Sequence, residues 1–100
     1  MKLDLFIDGE TKTFTTPFIS GRTLKTTIEL SASEELKNVD GKLIDVMADY
    51  VAMVYGKQFT ADQFLDGTAS DAVISTFQAT LEGVTGKLDA KLTALAGPNA

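Results

Sequence analysis

The chain contains neither cysteine nor histidine, and these two absences remove most familiar active sites. Without thiols there is no disulfide framework and no thiolate nucleophile. Without imidazole there is no histidine base, and the two absences together leave no zinc site of the usual ligand types. Positive charge is also scarce: Lys and Arg number 9 against 14 Asp and Glu, a net charge of -5. That sign disfavours nonspecific nucleic-acid binding, which rests on cations neutralising phosphates, so a protein partner suits the balance better. No apolar run approaches the roughly 20 residues that cross a bilayer, and the opening MKLDLFIDG lacks a stretch of signal-peptide length. The expected location is the cytoplasm in which the protein is made.

What is present describes a globular chain. Apolar types make up 44% and charged types 23% of 100 residues, too hydrophobic for disorder and large enough for one core. The expected organisation is a single domain over residues 1–100, with a hairpin and linker at 1–19 and a helical part at 20–96. No internal repeat, low-complexity tract or domain linker interrupts it.

Leu3, Leu5 and Ile7 alternate with Lys2, Asp4 and Phe6, the period of a strand with one buried face; Phe6 is the exception. Asp8-Gly9 accepts positive φ at both centres of a type I′ turn, so Glu10 to Thr16 should return antiparallel. A two-residue loop sets Ile7 opposite Glu10, Leu5 opposite Lys12 and Leu3 opposite Phe14. Leu3, Leu5, Ile7 and Phe14 then share a face, with Thr11 and Thr13 on the other. Pro17 ends the return strand, having no N–H for the ladder. Ser20 is placed to cap a helix reaching about Leu30, with Leu24 and Ile28 on its inner side and Ile19 stapled against Leu24.

Residues 31–39 read as a polar connector with a short turn from Ser33. Asp40 is placed to cap a central helix from Gly41 to about Tyr55, which Gly56 ends in the left-handed conformation. Only Lys42, Asp45 and Asp49 form a polar stripe on it; Leu43, Ile44, Val46, Met47, Tyr50, Val51, Met53, Val54 and Tyr55 cover nearly all the rest. A helix so apolar must be enclosed. Thr60-Ala61-Asp62-Gln63 matches a capping box before a short helix carrying Phe64 and Leu65, stopped by Gly67. From about Ser70 a last stripe recurs at intervals of three and four through Val73, Ile74, Phe77, Leu81, Val84, Leu88, Leu92 and Leu95. Gly83 and Gly86 invite a bend within it, and Gly97-Pro98 ends it. The fold class is α+β: an N-terminal β-hairpin followed by three to four helices, mainly helical.

Candidate chemistry is sparse. Asp45 and Asp49, one turn apart, offer two carboxylates to a cation, but no third ligand or EF-hand loop accompanies them and a solvated face explains them better. Ser20-Gly21-Arg22 at a helix start suits an anion or, more simply, a cap. Gly83-Val84-Thr85-Gly86 has the outline of a nucleotide-clamping GxxG with Lys87 as its only basic neighbour, a weak match in an acidic chain. Serine and threonine find no base motif. No catalytic residue, cofactor or metal is assigned, and the chain is not read as an enzyme. The apolar surface of the central and terminal helices exceeds what a hairpin and two short helices readily cover, which points to self-association or a partner helix. The candidate partner-binding residues are Phe77, Leu81, Val84, Leu88 and Leu92, with Met47, Val51 and Val54.

Over Leu3 to Leu30, Asp8-Gly9, Thr13-Phe14, Pro17-Phe18 and Ser20-Gly21-Arg22 form a pattern that resembles the tail assembly chaperones of long-tailed, siphovirus-type bacteriophages and prophages of Gram-positive bacteria. Beyond Asp40 the likeness is one of kind, a helical region around an apolar central helix. The resemblance implies a non-enzymatic, oligomeric assembly factor of the host bacterial cytoplasm. It would bind the tape measure protein, keep it soluble, recruit tail tube subunits and be absent from the mature virion. The rival readings are a head-tail connector or tail completion protein retained in the virion, and a small regulatory or enzyme-inhibiting module acting through the same apolar surface.

Overall fold

A computed structural model of the chain describes residues 1–33 and 40–86. Strands β1 (Lys2–Ile7) and β2 (Glu10–Thr15) are followed by helices α1 (Gly21–Ser31), α2 (Gly41–Val54) and α3 (Ala61–Gly67), a 3₁₀ turn (Ser70–Ala72) and α4 (Val73–Thr85). This is the expected α+β arrangement, with four α-helices among the described residues. The connector from residue 34 to 39 lies outside them, as does everything after Gly86, including Leu88, Leu92, Leu95 and the Gly97-Pro98 stop.

The hairpin forms in the register its turn dictates. Asp8 and Gly9 take φ of 53° and 79°, as a type I′ turn requires, and Ile7, Leu5 and Leu3 pair with Glu10, Lys12 and Phe14. The inner face delivers Leu5, wholly buried, to the core, whereas Phe6 on the outer face is 60% exposed. On that outer face the Thr13 hydroxyl donates to the Asp4 carboxylate across the strands at 2.6 Å.

Local capping sets each helix start that carries a polar cap residue. Ser20 Oγ accepts from the Thr23 amide at 3.3 Å, and Asp40 Oδ1 from the Leu43 amide at 2.9 Å. Thr60 and Gln63 exchange backbone-to-side-chain bonds as a complete capping box. The end of α2 is a Schellman turn: the Gly56 amide donates to the Met53 carbonyl and the Lys57 amide to the Ala52 carbonyl, with both residues left-handed at φ of 70° and 59°. The Gln58 side-chain amide then bonds the Tyr55 and Thr15 carbonyls at 2.8 and 2.7 Å, fastening this turn to β2.

α2 lies at the centre. Leu43, Met47, Ala48, Tyr50, Val51, Ala52 and Val54 are all buried, and Leu5, Phe64 and Phe77 close over them from β1, α3 and α4 in one cluster. Phe59 extends the core, 5.0 Å from the Phe14 ring and 5.6 Å from that of Tyr55. The polar stripe of Lys42, Asp45 and Asp49 is exposed. With α4 added to the hairpin and α3 as cover, little of this helix is left bare: Ile44, Val46 and Met53 are half-buried, Ile44 and Met53 at the margin of the cluster.

Two inner positions differ from the sequence reading. In α1 it is Thr27, fully buried, that faces the core, while Ile28 is 47% exposed. The Thr27 hydroxyl donates to the Thr23 carbonyl at 2.8 Å and lies 2.6 Å from the Tyr50 hydroxyl. With its single hydrogen spent, Thr27 accepts from Tyr50, so a polar pair takes the place that the i, i+4 spacing from Leu24 assigns to Ile28. Gly67 is more than a helix stop: a Cβ there would lie 2.7 Å from the Phe6 carbonyl oxygen and 3.3 Å from the Leu5 Cβ. Its missing side chain lets α3 approach β1.

Two stability outcomes follow. Gly67→Ala should cost about 1–3 kcal/mol in urea denaturation because backbone, not a flexible side chain, blocks the added methyl. Gly21→Ala, whose Cβ meets nothing within 4 Å, should leave stability unchanged or raise it by up to about 1 kcal/mol; equal losses in both would refute the close-approach reading. Thr27→Val should lose about 1–3 kcal/mol by stranding the Tyr50 hydroxyl, and the double change with Tyr50→Phe should recover part of it.

Candidate functional site

The eight candidate partner-binding residues separate into three groups. Met47, Val51, Val54 and Phe77 are interior, exposed by 6, 0, 3 and 3%; the chain's own core takes them up. Leu81 and Val84 are half-buried at the side of that core. Leu88 and Leu92 lie outside the described residues. On α4 the stripe thus turns its first anchors inward, with Val73 buried and Ile74 43% exposed beside it. Gly83 stays within α4, where a Cβ would collide with the Met1 thioether, and the helix ends at Gly86 with φ of 57°.

The weaker candidates resolve locally. Ser20 spends its oxygen on the α1 cap, Asp45 and Asp49 sit on the exposed stripe of α2, and Gly83 to Thr85 are helical rather than a phosphate-clamping loop. Among the described residues no three His, Cys, Asp or Glu side chains cluster to hold a metal ion, and no helix is long and apolar enough to cross a membrane.

The surface carries features the sequence did not single out. Phe18, just after Pro17, is 91% exposed and is the most exposed large apolar side chain among the described residues, ahead of Phe6. A cleft of about 410 Å³ opens between β1 and α4, lined by Met1, Lys2, Leu3, Tyr55, Ser75, Thr76, Ala79 and Thr80. A second, of about 390 Å³, lies where α2 meets α3, between Asp49 and Lys57 with Met53 and Phe59 at its wall. Neither has a sequence signature, because the lining residues come from segments 50 or more positions apart or from the turn after α2.

Burial raises the pKa of both tyrosines above the ordinary 10.0. For Tyr50 the hydrogen bond with Thr27 works against that rise, because the Thr27 hydroxyl can turn from the Thr23 carbonyl and donate once the phenol ionises; for Tyr55 burial acts alone.

The fold and its surface define a small α+β protein built around one apolar core, with its remaining exposed apolar groups, its clefts and its acidic charge facing outward. The chain belongs to the phage tail chaperone proteins: the model of that family matches residues 1–96. No curated protein and no solved structure shows significant similarity to it.

The tyrosines give a readout of the fold, since the chain has two of them and no tryptophan. A raised folded pKa means that the folded state holds the phenolic proton more tightly. The associated stability is complete below pH 10.0 and is lost as pH rises through the higher folded values. Ultraviolet phenolate absorbance should therefore rise above pH 10.0, together with loss of helical circular dichroism; two phenols titrating at the ordinary value with the helices intact would contradict their burial.

Proposed function

We propose that this tail chaperone acts without catalysis by binding the tape measure protein, keeping its long apolar helices in solution and recruiting tail tube subunits. It would do so as a homo-oligomer in the cytoplasm of a Gram-positive host of a siphovirus-type phage or prophage, and leave before the virion matures. The family match over residues 1–96 carries this reading. The resemblance of Leu3 to Leu30 to such chaperones supports the finer assignment.

The physical basis is coverage of apolar surface. An amphipathic client helix docks through anchors at i, i+3, i+4 and i+7, and the α4 stripe offers Leu81 and Val84 at its half-buried edge, with Leu88 and Leu92 next in the sequence period. Ile74 and Phe18 add exposed apolar groups. Phe77, Met47, Val51 and Val54 contribute by holding α4 on α2 rather than by meeting the client.

Co-expression with the tape measure protein tests this. The client should stay soluble only in company, and Leu88→Asp with Leu92→Asp should return it to the pellet while the hairpin's NMR shifts stay in place. Collapse of the whole domain on those two changes would instead make the stripe internal core. Mass spectrometry of purified virions should find no chaperone, and stoichiometric amounts there would identify a retained connector or completion protein.

A further inference from the structure

The cleft between β1 and α4 is bordered by a polar group that has no partner among the described residues. Tyr55 is 2% exposed, yet its hydroxyl makes no hydrogen bond among the described residues, whereas Tyr50 is bonded to Thr27. Buried hydroxyls are nearly always paired, because the water they lose has to be replaced. Thr68 Oγ1 is the one side-chain polar atom sealed from solvent without a partner among the described residues. Tyr55 differs from it in bordering the cleft, and its hydroxyl is not sealed from solvent.

The groups around that opening share one chemistry. Ser75 and Thr80 have spent their hydrogens on the Ala72 and Thr76 carbonyls. The hydroxyl hydrogens of Tyr55 and Thr76 and the ammonium of Lys2 have no acceptor among the described residues, and no carboxylate lines the cleft. Three donors without an acceptor of their own suit an anion, and Met1, Leu3 and Ala79 supply an apolar wall beside them. The ladder adds a direction. Because the Thr16 amide donates to the Met1 carbonyl at 3.0 Å, the backbone groups of Met1 and Leu3 turn toward β2 and those of Lys2 turn away from it. Farther along β1, the same outer edge is closed at Phe6 by the approach of Gly67.

We propose that this cleft receives an extended segment of a protein partner that bonds the outward backbone edge of Lys2, sets a carboxylate among the Tyr55, Thr76 and Lys2 donors, and seats a neighbouring apolar side chain between Leu3 and Ala79. The site deepens the chaperone reading, and rests on it only in taking the occupant to be a protein.

The test titrates the ¹⁵N-labelled full chain with the acetylated, amidated pentapeptide Gly-Leu-Glu-Leu-Gly and with its Gln counterpart. The glutamate peptide should shift the amides of Lys2, Leu3, Thr76 and Ala79, and the glutamine peptide should bind about tenfold more weakly, as loss of a charge-assisted bond implies. Tyr55→Phe should weaken the glutamate peptide about tenfold and narrow the Glu-to-Gln ratio, with the thermal midpoint held or raised. Lys2→Gln, at an exposed position, provides a second variant with the same expected narrowing. Absence of shifts at these four amides, or a Glu-to-Gln ratio unchanged in both variants, overturns the site. A chain that binds the peptide here but leaves the tape measure protein insoluble refutes the chaperone function and leaves the site standing.

Discussion

α2 is apolar around most of its circumference, and its burial organises the rest of the molecule. Removing apolar surface from water contributes about 25 cal/mol per Å², or about 1.5–3 kcal/mol for each large side chain fully buried. That gain is reached only if every side except the Lys42, Asp45 and Asp49 stripe is covered. The hairpin answers for one side through Leu5, α3 for another through Phe64, and α4 for a third through Phe77. The short N-terminal hairpin is in this sense a lid on a helix, which explains why a mainly helical chain begins with two strands. Gly67 makes the arrangement possible where α3 and β1 converge.

Polar contacts then select one packing among several that hydrophobicity alone would allow. Thr27 meets Tyr50 in the interior at 2.6 Å, fixing α1 against α2 at a point where a purely apolar pair could slide. Gln58 ties the Schellman turn of α2 to the β2 carbonyl at Thr15, and a Cβ at Gly56 would already lie 3.0 Å from the Pro17 ring. The two tyrosines illustrate how context divides identical side chains. Tyr50 is buried and satisfied, whereas Tyr55 is buried, borders the cleft and has no hydrogen-bond partner for its hydroxyl among the described residues.

This division bears on how a tail chaperone can be both stable and adhesive. Side chains that look like a continuous sticky stripe in sequence are used twice over. The first anchors build the core, and Leu81 and Val84 remain at its margin. A chaperone domain organised this way does not need to unfold to present apolar surface, because the apolar groups at its surface are not the ones that hold α2 in place. The acidic balance of the chain complements that role by keeping a partly apolar surface in solution.

Local chemistry made much of the fold legible. Asp8-Gly9 specifies its turn and hence the register of six cross-strand pairs; Ser20, Asp40 and Thr60 cap because their oxygens reach amides three residues away; and the composition of α2 alone requires enclosure. These features depend on neighbours in the chain, so the amino-acid order determines them. The inward turn of Thr27 in place of Ile28, the role of Gly67 as a point of close approach, the burial of Phe77 in the core and the place of Tyr55 beside the cleft were settled only by tertiary structure. Each depends on which distant segment arrives opposite, and the three-to-four-residue periodicity of a helix gives the direction of a face without saying what will cover it.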